Sequence, residues 1–377
     1  MAIGFNITKE QVELQDRAME FAEKELAPLA YEIDEKDVFP MELLKKMGSS
    51  PYEFLSLPIP REYGGRGQGV LATCLVNEVL ACACATAVVL MEMAHLAPSF
   101  LSHASEEARN RYLPAIARGD AIGAFAQTEP GAGSDPKNLK TTAVTDGDHW
   151  IINGRKRYVS FAHEAAYMIV MARTEKGVSA FLMDTNTEGI EIVERIPCIG
   201  LRGHQDEEVE FRDCRIPNEN LLGVEGKGLH ISLGVLTETR TTLCAGFVGL
   251  ATGALNEAIK YARVRKSFGK PIAEHQAIRF SLSEVAAEIE AARLLTYKAA
   301  WLIDNGQTSR KATSMAKVMA SDVLLKATNL GVHVHGGFGG TKRYPVERFF
   351  RDARIWVYAQ GSPEIQKEIV ARELFKE

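Results

Sequence analysis

Glu92 and His95 interrupt an otherwise apolar stretch, Val79 to Ala97. Side chains three apart on a helix share a face, and a carboxylate or an imidazole there can act as a general base. An ordinary imidazole titrates near neutrality, whereas Glu92 needs burial to raise its pKa before it is well tuned. His95 therefore ranks ahead of Glu92. The competing reading is a satisfied structural pair at a domain interface.

Other residues point to anions and a cofactor. The run Phe125-Ala126-Gln127-Thr128-Glu129-Pro130-Gly131-Ala132-Gly133-Ser134-Asp135 reads as a tight loop whose backbone N–H groups can face an anion. Its glycine spacing is not the dinucleotide-binding fingerprint, and no βαβ unit surrounds it. Arg265 can make paired, charge-assisted bonds to a pyrophosphate; a solvated arginine is the plain alternative. His333 and His335 stand two apart before Gly336 and Gly337. No third ligand lies nearby in sequence, so no metal is expected, and the glycines would let backbone approach a cofactor closely.

Positioning these residues takes several kinds of element. The 377-residue chain is long enough for two or three domains, and 46% hydrophobic with 25% charged residues is ordinary for a soluble globular protein. Its net charge of −5 argues against nonspecific nucleic-acid binding. Six cysteines form no C-x-x-C pair, and reduced thiols in a cytoplasmic protein are expected. Met1–Asn6 lacks a basic region followed by an apolar run, so no secretory signal is expected. Val79 to Ala97 is too short and polar for a membrane span. Residues 1–120 read as helical, with Thr8 as an N-cap. Residues 121–228 carry Val, Ile, Thr and Phe in short runs with turns at Asp146-Gly147-Asp148 and Asn153-Gly154, which is a β pattern. Residues 229–377 read as four long helices, over 229–264, 273–305, 307–335 and 362–375, a bundle.

Five motifs, in order over nearly the whole chain, resemble those of the acyl-CoA dehydrogenase family: the loop at 125–135, Asn153–Ser160, Gly200–Gly203 with Leu222–Gly228, Arg263–Pro271 with Gln276, and His333–Arg348 with the C-terminal Arg351–Gln366. The resemblance implies a mainly α fold with a central β domain: an N-terminal helical domain, a β-barrel and a C-terminal four-helix bundle. It implies FAD, held by Phe125, Gln127, Thr128, Gly133, Ser134, Tyr158, Val159, Ser160, Arg265, Phe268, Gln276, His333, Gly336, Gly337, Ser362 and Glu364. Tyr158 stands where the family usually has Trp, and Ser160 where a Thr commonly donates to flavin N5. His333 and His335 are modest departures from the pattern. Ser134, Thr239, Arg240 and Gly361 would meet an acyl-CoA. The resemblance further implies a homotetramer, with FAD contacts crossing a subunit boundary, and electron transfer flavoprotein as redox partner.

Gln360 breaks the pattern. Most of the family has a Glu there that removes a proton beside the thioester carbonyl, and an amide has no basic lone pair for that step. Some branches place the base just before an Arg on the bundle's first helix, but here that residue is Thr239. Glu238 is one residue away, about a 100° turn, and should face elsewhere. His95 and Glu92 remain. A relocated base suits a cyclic or unsaturated acyl-CoA. In lacking the usual Glu the chain is similar to cyclohex-1-ene-1-carboxyl-CoA dehydrogenases, which carry an Asp on the helix of Glu92; no Asp lies between residues 80 and 100. The alternatives are a lyase on the same scaffold, such as a desulfinase; a non-catalytic thioester-binding relative; and an engineered Glu→Gln change.

Overall fold

A computed structural model describes residues 7–376. The Met1–Asn6 stretch, on which the secretory-signal expectation rests, lies outside the described residues. Thr8 caps the first helix, α1 (Lys9–Phe21): its hydroxyl accepts from the Gln11 N–H while the Gln11 side chain accepts from the Thr8 N–H. A π-helical segment leads into α2 (Ala27–Lys36). Then come α3 (Met41–Gly48), α4 (Val70–Ala81), α5 (Ala85–Leu101) and α6 (Glu106–Ala117). The sequence reads Leu71 to Leu101 as one or two buried helices; the structure gives two, α4 and α5, both apolar nearly all round and mostly buried.

Residues 123–222 form an eight-stranded sheet. Its strands are β1 (Gly123–Ala126), β2 (Thr142–Asp146), β3 (His149–Ser160), β4 (Tyr167–Thr174), β5 (Gly177–Asp184), β6 (Ile190–Arg195), β7 (Asp206–Pro217) and β8 (Leu221–Leu222). The order is β6-β7-β3-β2-β4-β5-β8, with β1 parallel to β4, around a core of its own that includes Ile152, Met168, Val170, Phe181 and Phe211. Asp146-Gly147-Asp148 makes the expected turn between β2 and β3. Asn153-Gly154 does not make a turn: it lies inside β3, and the pairing with β7 shifts register between Ile152 and Gly154. Gly154 has φ +150, and a Cβ there would meet Thr141 Oγ1 at 2.5 Å, so glycine serves a β-bulge.

The C-terminal part contains α7 (Gly228–Val264), α8 (Gln276–Asp304), α9 (Arg310–His335), α10 (Val346–Trp356) and α11 (Pro363–Leu374). The sequence reading has four long helices here and misses α10, which spans the Arg351–Arg354 signature. One described helix, α7, is long and apolar enough to cross a membrane, but 78% of its apolar window is buried in the protein. It packs closely on α4, because a Cβ at Gly249 would lie 2.1 Å from the Glu78 carbonyl oxygen. Asp304, the last residue of α8, caps α4 by accepting from the N–H groups of Val70 (2.6 Å) and Leu71 (3.0 Å). The two helical regions are thus bound together around α4, α5 and α7.

Candidate active site

The turn between α10 and α11 carries Gln360 in a left-handed conformation, φ +56, followed by Gly361 at φ +99. A non-glycine residue there costs conformational energy, and the structure holds it through both side-chain polar atoms and its backbone carbonyl. The Gln360 amide nitrogen donates to Glu92 Oε2 at 2.7 Å. Thr239 Oγ1 donates to Gln360 Oε1 at 3.1 Å, and Arg240 Nε donates to the Gln360 carbonyl at 2.9 Å. These partners fix which end of the amide faces Glu92.

Glu92 is 2% exposed. Its Oε1 accepts from Thr242 Oγ1 at 2.6 Å and from Asn77 Nδ2 at 3.1 Å. Burial pushes its pKa up to about 8, against the hydrogen bonds from Thr242, Gln360 and Asn77 that favour the carboxylate. A carboxyl titrating there is matched to base catalysis near neutral pH. Against the sequence ranking, the side chain that meets Gln360 is therefore Glu92. His95 is buried, its Nδ1 has no partner, and burial drives its pKa down to about 4. The ranking rested on unperturbed pKa values, and burial moves the two in opposite directions. Glu238 turns away, as the helical geometry predicts, and accepts from Ser99 Oγ at 2.9 Å.

Asn77 and Thr242 are missing from the sequence reading. Asn77 does interrupt the apolar run of α4, which was a usable signal. Thr242 offered none, since nothing local marks one threonine among several on a helix.

The other site residues fall into two groups. In the Gly-rich loop, buried Glu129 accepts from Lys140 N–H (2.6 Å), Thr141 N–H (2.9 Å), Thr141 Oγ1 (2.6 Å) and Lys156 Nζ (2.8 Å). Gln127 accepts from Ser232 Oγ at 2.6 Å, the Thr128 carbonyl accepts from Arg157 N–H at 2.8 Å, and Gly133 and Ser134 are exposed. Phe125 packs on Phe100 of α5, with ring centres 5.0 Å apart. Tyr158 is half exposed at φ +56, while Val159 is buried in the β core and has only backbone to offer. Ser160 Oγ lies 2.7 Å from His204 Nε2 and 3.2 Å from Asp206 Oδ1. Ser362 is the N-cap of α11, and Glu364 is exposed in its first turn.

The second group gathers elsewhere. Tyr261, Arg265, His335, Gly336, Gly337 and Phe338 line a groove of about 420 Å³. His335 stacks on Tyr261 at 4.2 Å, and its buried Nε2 has no partner. A Cβ at Gly336 or Gly337 would meet nothing within 4 Å, so backbone lies open on one side. An exposed guanidinium, open glycine backbone and an orphaned buried donor or acceptor suit part of a flavin dinucleotide. His333 and Gln276 are exposed, and Phe268, at the tip of a short hairpin, is 97% exposed. Among the described residues, no cluster of three or more His, Cys, Asp or Glu could hold a metal ion.

This layout, a buried carboxyl between two helical regions joined through a β domain, defines a class that comparison with known proteins names. The family models described as acyl-CoA dehydrogenase N-terminal, middle and C-terminal domain match residues 8–120, 124–214 and 226–375. The short-chain specific acyl-CoA dehydrogenase of Clostridium acetobutylicum is 38% identical over 99% of this chain and 100% of its own. The acryloyl-CoA reductase (NADH) of Anaerotignum propionicum is 38% identical over 99% and 96%. Butyryl-CoA dehydrogenase from Megasphaera elsdenii superposes with a TM-score of 0.95 at 32% identity, covering 99% and 100% of the two chains. A chain in the structure of the electron transferring flavoprotein of Acidaminococcus fermentans superposes at 0.96 and 36% identity, covering both fully. The chain belongs to the acyl-CoA dehydrogenase family and is an acyl-CoA dehydrogenase-like flavoenzyme.

Proposed function

We propose that this protein dehydrogenates a cyclic or unsaturated acyl-CoA, with Glu92 as the base and Gln360 as its partner. The observation that carries this is the 2.7 Å bond from the Gln360 amide to Glu92 Oε2. FAD, when bound, supplies the hydride acceptor; Thr128, Tyr158, Ser160 and the groove around Arg265 and Gly336 would hold it. Glu92 takes the proton on Oε2, whose only partner among the described residues is Gln360. Thr242 and Asn77 hold Oε1, so the carboxyl cannot swing away. Gln360 donates its amide hydrogen to Glu92 and cannot take a substrate proton itself. A base displaced from position 360 to the α5 helix reaches a different carbon, which suits a vinylogous proton. His95 would remain neutral beside it.

Support for the partners is indirect. The Acidaminococcus structure named for an electron transferring flavoprotein favours that class of redox partner. The 97% exposed Phe268 suits burial against another subunit of a homotetramer. A sulfinate-releasing lyase needs no base to remove an α-proton, and the pairing of Glu92 with Gln360 is read here as serving that proton step.

The test mixes purified protein with butyryl-CoA and with cyclohex-1-ene-1-carbonyl-CoA while flavin absorbance is followed. Bleaching by the cyclic thioester, lost in Glu92→Gln, is expected. Bleaching by butyryl-CoA alone, or sulfite release from a sulfinyl thioester without bleaching, contradicts the proposal.

A further inference from the structure

Ser160, the last residue of β3, and Asp206, the first of β7, are cross-strand partners. Side chains directly opposite one another share a face of the sheet, and Ser160 Oγ lies 3.2 Å from Asp206 Oδ1. His204, in the loop before β7, places Nε2 2.7 Å from the same hydroxyl and 3.5 Å from the same carboxyl oxygen. A buried imidazole and a buried carboxyl thus converge on one hydroxyl.

The loop that carries His204 is pinned from three sides. Leu201 N–H donates to Asp352 Oδ1 of α10 at 2.7 Å, and Gly203 N–H donates to Asp37 Oδ1, just after α2, at 2.7 Å. Thr86 Oγ1 of α5 donates to the Arg202 carbonyl at 3.0 Å. Leu201 and Gln205 are held at φ +53 and +56, a left-handed conformation that costs a non-glycine residue energy. The His204 ring meets Phe161 edge-on, with ring centres 5.3 Å apart. The imidazole is therefore fixed against Ser160.

A hydroxyl has one hydrogen to donate, a carboxylate only accepts, and a neutral imidazole donates from one nitrogen and accepts at the other. With the ring hydrogen on Nδ1, the bare Nε2 would take the only hydrogen of Ser160, and its lone pair would face the Asp206 carboxylate. With the ring hydrogen on Nε2, His204 donates to Ser160 Oγ, Asp206 attracts that same N–H, and the serine hydrogen stays available.

We propose that His204 and Asp206 are positioning residues for Ser160: Asp206 keeps the ring hydrogen on Nε2, so that Ser160 accepts from His204 and keeps its own hydrogen to donate to FAD. This rests on the reading of Ser160 as a flavin contact and is independent of Glu92. His204 and Asp206 touch neither the reacting carbon nor the base; they act through one hydroxyl.

The test uses the whole flavoprotein with histidine labelled with nitrogen-15 in the ring, the His204 signals being those that His204→Gln removes. Native His204 should carry hydrogen on Nε2, and Asp206→Asn should move it to Nδ1. A bare Nε2 in the native protein, or an unmoved hydrogen in Asp206→Asn, overturns the proposal. FAD affinity gives a second readout. His204→Leu should weaken it about 2–10-fold, the loss of one oriented hydrogen bond, and His204→Gln, which keeps a donor, should restore most of it. In a Ser160→Ala background His204→Leu should weaken FAD no further. A full additional loss there would mean a structural role and overturns the proposal. If His204→Leu does not fold, the position of the ring hydrogen decides. Native FAD affinity in Ser160→Ala overturns only the reading of Ser160 as a flavin contact, because the ring hydrogen is read without reference to FAD.

Discussion

Glu129 and Glu92 are both buried carboxyls held by at least three hydrogen bonds, yet they are set to opposite states. Burial opposes ionisation of Glu129 too, but the bonds from Lys156 and Thr141 hold it below the usual carboxylate range. Glu92 receives three donors, all uncharged, and burial wins. The difference is one ammonium at 2.8 Å. Glu129 is fully satisfied, and its chemistry is to brace the Gly-rich loop against β3. Glu92 exchanges its proton near neutral pH, which suits the base role proposed for it.

Removing each carboxylate should sharpen the contrast most. Glu92→Gln should cost turnover about 10²–10⁴-fold with the fold intact. Glu129→Gln should instead leave Lys156 buried without its counter-charge and destabilise the protein by about 3–5 kcal/mol. Denaturant titration reads the second, and single-turnover flavin reduction the first. Comparable losses on both axes for either variant would break the comparison.

Their pH dependences should run in opposite directions. Glu92 has a raised pKa, so the folded chain holds a proton that the unfolded chain has lost between pH 4.5 and about 8. Stability from this group therefore falls as pH rises through that window, and Glu92→Gln should flatten the fall. Glu129 has a lowered pKa, so its contribution is present above pH 4.5 and lost as pH falls through the folded value. Thermal midpoints across the pH range measure both.

Two smaller changes act within the Glu92 site. Gln360→Glu would set two carboxyls at the 2.7 Å spacing of the present amide bond, where they must share one proton. That variant should bleach with butyryl-CoA only above a pH midpoint higher than the native one. Thr242→Val removes one neutral donor to Glu92, worth about 1 kcal/mol, and should raise the midpoint of the pH–rate profile by under about one unit.

Much of the architecture was legible. The helical, β, helical order, the Thr8 cap and the Asp146-Gly147 turn followed from periodicity and local chemistry. Asn153-Gly154 misled because the same dipeptide serves a turn or a bulge, and only cross-strand register decides. The Glu92 site was half legible. Two polar residues in an apolar helix announced themselves, but their ranking required burial and partners that come from α4, α7 and the α10–α11 turn, all distant in sequence. Thr242 could not be singled out, because nothing local distinguishes a threonine that faces the site from one that faces solvent.

The most direct measurement compares single-turnover flavin reduction by cyclohex-1-ene-1-carbonyl-CoA in the native protein, Glu92→Gln and His95→Gln. Fast bleaching in the native protein and in His95→Gln, with near silence in Glu92→Gln, is the predicted result. Native-like bleaching in Glu92→Gln with loss in His95→Gln would contradict it.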